Sequence, residues 1–124
     1  MKLEAGIAAL GLTLPPGAAE KLVAYLVRLA KWNKVYNLTS IRDPDEMITH
    51  HLLDSLAVLP VLQKSVLAGR QFALADIGSG AGLPGLVLAI GNPDWKVTSV
   101  EAVEKKAAFQ QQAKIELRLT NVSI

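Results

Sequence analysis

Apolar residues along this chain change their spacing once, near residue 70. Before it they recur at three- and four-residue steps, as in helices with one buried stripe. After it they gather into short runs separated by glycine and proline, which reads as strands alternating with helices. Lys2 to Leu10 predicts a short helix stopped at Gly11. Thr13 is placed to cap the next helix, with Pro15 and Pro16 near its first turn, where a missing N–H costs little. There Leu22, Val23, Leu26, Leu29 and Ala30 form the stripe, and Lys21, Arg28 and Lys31 lie near a shared polar face. The periodicity lapses from Asn33 to Asp43. Asp43-Pro44, with Glu46 three residues after the aspartate, starts another helix in the manner of a capping box. Its inner positions are Met47, Ile48, His51, Leu52 and Ser55; it extends towards Leu62, and Lys64 to Gln71 is a linker.

Phe72 to Ile77 predicts the first strand, Pro84 to Ile90 a helix, and Val97 to Glu101 the second strand. Glu104 to Leu117 is a helix with Ala107, Ala108, Ala113, Ile115 and Leu117 inward, and Asn121 to Ile124 starts a third strand. The order β-α-β-α-β is the unit of a parallel doubly wound sheet. The expected fold class is therefore α/β, a Rossmann-like parallel sheet, incomplete, preceded by a helical layer. Residues 1–70 make up the helical extension packed on the sheet, and residues 71–124 the first half of the sheet domain. The first strand of such a sheet is usually central. With only two strands after it, that strand is left with an unpaired apolar edge, which invites association. The expectation is that this chain is the front part of a longer protein.

A chain of 124 residues suits one modest core. The absence of cysteine removes disulfides, thiolate metal sites and cysteine nucleophiles. No apolar run approaches the ~18 residues of a membrane span and the amino end does not read as a signal peptide, so the expected compartment is the cytoplasm. A net charge of +2 says little about partners; the positions of the basic residues say more. His50 and His51 are the only histidines. Neighbours on a helix point about 100° apart, so no metal site is expected and His51 reads as a packed, hydrogen-bonded residue.

The richest chemistry lies in Asp76-Ile77-Gly78-Ser79-Gly80-Ala81-Gly82-Leu83-Pro84-Gly85. An apolar strand ends in an acid and enters a glycine turn before a helix. Glycine accepts positive φ and has no Cβ, so backbone there can press against a bound molecule. The N–H groups opening the following helix would be unpaired and partly positive. A P-loop is excluded, because no lysine follows the glycines. Gly80-x-Gly82-x-x-Gly85, with Glu101 about twenty residues on, matches the dinucleotide fingerprint of a nicotinamide-dependent dehydrogenase. Asp76-x-Gly78-x-Gly80-x-Gly82 after an apolar strand resembles the first motif of the class I methyltransferases, which bind S-adenosylmethionine (SAM). Glycine turns also serve as plain connectors, and an acid near a helix start also serves as a dipole partner.

Three segments narrow the resemblance: Trp32-Asn33-Lys34-Val35-Tyr36-Asn37-Leu38-Thr39, His51-Leu52-Leu53-Asp54-Ser55, and Gly78 to Gly85. Together they resemble the RsmG (GidB) family, bacterial enzymes that methylate N7 of a guanine in small-subunit (16S) ribosomal RNA. The resemblance implies a Rossmann-like class I SAM-dependent methyltransferase fold, with SAM as cofactor. It implies a partner in ribosomal RNA or the small ribosomal subunit, no metal, no membrane, and a monomer when complete. It places Gly78 and Leu83 against SAM, lets Gly80 and Gly82 shape the pocket, puts Glu101 on the ribose hydroxyls, and gives Asp76 to the turn and the methionine end. Asn37, Thr39, His51 and Asp54 would shape the site. Two departures stand out: His50 where members often carry arginine, and Glu101 where they often carry aspartate. Lys105 and Lys106 agree with a basic pair of the family, while Gln110 to Gln112 agree less well.

Guanine N7 carries a lone pair and no proton, so its methylation needs no general base, and no catalytic residue is assigned. Lys34, Arg42, Lys105 and Lys106 are the candidate RNA contacts, since basic side chains neutralise phosphates. Trp32 and Tyr36 read either as stacking faces for bases or as core pieces joining helices to sheet. The competing readings are the dehydrogenase and an inactive fragment or RNA-binding module.

Overall fold

The computed structural model describes residues 2–65 and 72–124, so most of the expected linker lies outside the described residues. Helix α1 (Lys2–Ala9) ends in a turn at Gly11, whose φ of 69° favours glycine. Helix α2 (Ala18–Tyr36) is the longest and buries Ala18, Leu22, Tyr25, Leu29 and Asn33 at steps of three and four. Thr13 does not cap it. The helix starts after Gly17, and the Ala18 N–H donates to the Pro15 carbonyl at 3.1 Å; the two prolines form a turn that separates Thr13 from the first helical residue. Nor does α2 stop at Asn33. The buried Asn33 side chain accepts the Thr39 N–H at 2.9 Å, so the residue at which the periodicity lapses is a tie inside the helix, which ends at Asn37 with φ 51°.

Helix α3 (Pro44–Met47) starts as expected at Asp43, whose carboxylate accepts the Asp45 N–H at 3.0 Å. A π-helical segment, Ile48–Leu53, follows without a break and leads into α4 (Asp54–Leu56) and α5 (Leu59–Ser65). Met47, His51, Leu52 and Ser55 are buried, as the periodicity predicts.

The alternating part contains β1 (Ala73–Ile77), α6 (Gly85–Gly91), β2 (Lys96–Val100), α7 (Glu104–Glu116) and β3 (Val122–Ser123). All pairing is parallel, in the order β1-β2-β3, with Ala73 opposite Lys96 and Val97 opposite Val122. Helix α6 is buried along its whole length and touches β1, β2, α2 and α4, while α2 also crosses α7. This helical layer covers the face that buries Val97, Ser99 and Val122. The other face, with Ala73, Ala75, Ile77, Thr98 and Val100, is open, and Ile77 is 73% exposed. Among the described residues β1 pairs only with β2.

Helix α7 turns differently from the expectation. Ala108 and Ile115 face water, and the buried row is Phe109, Gln110 and Ala113, continued by Leu117. The aromatic packing sets this rotation: the Phe109 ring meets Trp32 at 5.6 Å and Tyr25 at 5.9 Å between centroids. Trp32 and Tyr36 form a tilted pair at 5.6 Å on α2, and the Phe109 contacts join α2 to α7.

Asn121, just before β3, donates from its side-chain nitrogen to the carbonyls of Trp95 at 2.9 Å and Ala89 at 3.1 Å, tying the α6–β2 turn to the sheet. Asn121→Ala orphans both carbonyls, and chemical denaturation should show a loss of about 1–3 kcal/mol.

Candidate functional site

The glycine turn is built from both strand ends. The Gly78 and Ser79 N–H groups donate to the Val100 carbonyl at 2.8 and 3.3 Å, so the turn stays attached to β2 after β1 has ended. Gly78, Gly80 and Gly82 have φ of 72°, 60° and 101°, a region where a side chain is strained. A Cβ at Gly78 or Gly80 would meet nothing within 4 Å, whereas one at Gly82 would come within 2.4 Å of Leu86. The first two glycines therefore present bare backbone to open space, and the third lets the turn close on α6.

The helix start differs from the expectation. Its N–H groups are not free: Gly85 donates to Asp76 Oδ2 at 2.9 Å, Leu86 to the Gly82 carbonyl at 2.8 Å, and Leu83 to the Ser79 carbonyl at 3.0 Å. Asp76 thus fixes the turn from within, and burial pushes its carboxyl above the usual aspartate range. A Cβ on Gly85 would lie 2.8 Å from that carboxylate, so glycine permits the contact.

Glu101 follows β2 and reaches back over the turn. One carboxylate oxygen accepts the Gly80 N–H at 2.7 Å and the other accepts the Val103 N–H at 2.8 Å. The Val103 and Gly80 bonds hold this carboxyl below the usual glutamate range. A carboxylate has about four acceptor positions, so two hydroxyl donors can still be received. The residues fit the ribose of a nucleoside cofactor lying on bare main chain.

Sequence reasoning missed two supports of the turn. The buried Tyr25 hydroxyl donates to the Ala81 carbonyl at 2.7 Å, and burial, followed by the Asp76 charge, pushes its phenol far up. Its signal was position: Tyr25 lies three residues after Leu22 and four before Leu29, in the buried row. Gln110, fully buried on α7, donates to the Gly80 carbonyl at 2.6 Å.

A second constellation ties the segment after α2 to the π-helix. Thr39 Oγ1 lies 2.9 Å from His51 Nε2, and the Asn37 side-chain oxygen accepts from the Arg42 guanidinium. Burial lowers the proton affinity of His51. Asp54 lies apart from this pair, exposed and 3.9 Å from His50. Among the described residues no cluster of three His, Asp or Glu could hold a metal, and no helix is long and apolar enough to cross a membrane. Of the basic candidates, Lys105 sits over the Tyr36 ring at 5.2 Å, and Lys106 is close enough to Glu101 to lower its pKa. Lys34 lines a shallow apolar groove with Val27, Pro44 and Met47.

A parallel sheet whose first strand opens into a glycine turn, faced by an acid beyond the second strand, defines a Rossmann-like α/β protein of the methyltransferase type. The family model described as rRNA small subunit methyltransferase G (GidB) matches residues 18–124, and the chain belongs to that family. It is 57% identical to the ribosomal RNA small subunit methyltransferase G of Methylobacillus flagellatus, over 99% of this chain and 57% of that one. It is 61% identical to the protein of the same name from an Azoarcus species, over 97% of this chain and 54% of that one. The Aromatoleum aromaticum protein of that name is 56% identical, over 98% and 57%. The chain spans about half the length of the curated relatives it matches.

Tyr25→Phe removes the donor to Ala81 and leaves a buried carbonyl unpaired; denaturation should show about 1–3 kcal/mol lost with the helical content unchanged. His51 titrates below its ordinary value of 6.5 in the fold, so the unfolded chain takes up its proton first as pH falls. Stability contributed by neutral His51 is complete above about pH 7 and declines as pH falls through 6.5 towards the folded value. The melting temperature of His51→Gln should fall less steeply across this window than that of the parent.

Proposed function

We propose that this chain forms the cofactor-binding part of a SAM-dependent methyltransferase acting on N7 of a guanine in small-subunit (16S) ribosomal RNA. The observation that carries the reading is the bare, left-handed backbone at Gly78 and Gly80, facing open space beside the Glu101 carboxylate. Membership of the GidB family supports it, as do relatives named for methylation of small-subunit ribosomal RNA. The fingerprint reading as a dehydrogenase gains no support from these relatives.

In this reading Gly78, Gly80 and Leu83 lie against the cofactor, Gly82 shapes the turn, Glu101 accepts from the ribose hydroxyls, and Asp76 keeps the turn closed on α6. SAM, when bound, supplies a methyl group activated by a sulfonium. Guanine N7 is already a nucleophile, so the chain's task is to hold the cofactor and admit the base along the line of transfer. Such positioning can supply ~7–11 kcal/mol of the barrier reduction. No side chain is needed as a base, which agrees with a turn region whose ionisable groups are engaged with main chain.

Asn37, Thr39 and His51 shape the neighbouring segment, with Asp54 on its outer side. Three cations surround the carboxyl end of α2: Lys34 in its last turn, Arg42 on the Asn37 cap, and Lys105 over Tyr36. With Lys106 they form a surface suited to RNA phosphates. The protein would work in the cytoplasm, as a monomer, on ribosomal RNA or the small subunit.

Isothermal titration of the full-length protein should show heat with SAM and with its demethylated product, and none with NAD; heat with NAD alone would overturn the assignment. Gly80→Ala should weaken SAM binding by ~1–3 kcal/mol through a strained backbone while leaving the fold largely intact. Gly82→Ala should damage the fold itself, because its Cβ runs into Leu86. Lys34→Ala should leave SAM affinity alone and reduce the salt dependence of RNA binding.

A further inference from the structure

Beneath the glycine turn lies a closed ring of side-chain hydrogen bonds. Ser79 and Ser99 hydroxyl oxygens are 2.5 Å apart, the Ser99 hydroxyl donates to Gln110 Oε1, and Gln110 Nε2 donates to Ser79 Oγ at 2.8 Å. The same nitrogen donates to the Gly80 carbonyl at 2.6 Å. A carbonyl only accepts, so this contact settles which end of the Gln110 amide is nitrogen. With Ser99 giving its proton to Gln110, Ser79 must give its own to Ser99. Every hydrogen in the ring then has one destination. Ser79, Ser99 and Gln110 are 3%, 2% and 0% exposed, so no water competes for these groups.

Gly80 is the residue on which this ring acts. Its carbonyl is held from α7 by Gln110 and its N–H from beyond β2 by Glu101, at 2.6 and 2.7 Å. Both peptide planes that flank the bare α-carbon are therefore fixed while its Cβ position stays open. A turn of glycines has few conformational restraints of its own, so the restraint has to come from outside. Gln110 is poorly suited to a buried helix face unless its amide is fully partnered, and here it is.

We propose that Gln110 is a positioning residue for the cofactor: oriented by Ser79 and Ser99, it locks the Gly80 peptide in the conformation that receives SAM. This rests on the reading of the turn as a SAM cradle. Gln110 acts through the backbone of Gly80 and does not touch the cofactor or the reacting atoms. Its placement on α7, one turn after Lys106, makes that helix part of the floor of the site.

The test compares Gln110→Met, which keeps the volume and removes both donors, with Ala113→Gly, which weakens the same helix away from the ring. Both are measured in the full-length protein by SAM titration, by melting temperature, and by amide hydrogen exchange of Gly80 to Gly82 without ligand. Gln110→Met should weaken SAM about tenfold or more and speed exchange in the turn, and Ala113→Gly should leave both near the parent at a similar loss of melting temperature. Equal weakening of SAM by the two variants would reduce Gln110 to a general stabiliser and overturn the proposal. Parent-like affinity and exchange in Gln110→Met would overturn it as well. If the parent shows no heat with SAM, the cofactor reading fails, while the exchange comparison still reports whether Gln110 holds the turn.

Discussion

A glycine turn has no helix or sheet ladder of its own, yet its buried main-chain groups still need partners. Meeting that need is the constraint on which the rest of this molecule depends. The partners come from four elements. Val100 and Glu101 supply acceptors at the end of β2, Asp76 supplies one from β1, Tyr25 a donor from α2, and Gln110 a donor from α7. The helical layer is thus more than a cover for the sheet. Tyr25 and Gln110 reach through it to the turn, and the Tyr25–Phe109–Trp32 aromatic contacts keep the two helices that carry them at a fixed spacing.

The elements whose identity depends on local chemistry were legible in the sequence. The strand–glycine–helix unit, the Asp43-Pro44 start and the buried row through Met47, His51, Leu52 and Ser55 all follow from spacing and turn chemistry. What was hidden depends on tertiary partners. The apolar periodicity lapses at Asn33, but Thr39 completes its hydrogen bonding and the helix runs on. Ile115 reads as core and Gln110 lies outside the expected inward row; Phe109 packing on Trp32 and Tyr25 turns the helix, and two serines and a carbonyl from elsewhere complete the hydrogen bonding of the buried Gln110. Thr13 fails as a cap because Pro15 and Pro16 make a turn of their own. The N–H groups expected to greet a ligand at α6 are already taken by Asp76 and by the turn, a competition that no local pattern reveals.

The candidate site divides its labour between two kinds of structure. The glycine turn is main chain whose peptide groups are held by hydrogen bonds from the surrounding elements, with bare backbone on its open side. The neighbouring Asn37–Arg42 segment is anchored by the buried Leu38 and by side-chain hydrogen bonds, Arg42 on Asn37 and Thr39 on His51 and Asn33. The π-helix places His51 where it can reach Thr39. Such irregular turns recur at functional places in proteins, and here one joins the helical layer to the segment that borders the cations.

The uncovered side of the sheet carries apolar side chains as well as main chain. Ile77 and Val100 make a water-facing greasy strip there, 73% and 46% exposed, beside an outer β1 backbone with no described strand alongside. Whatever covers that strip, removing its apolar surface from water is favourable. The cation-bearing end of α2 lies with the helices on the reverse side.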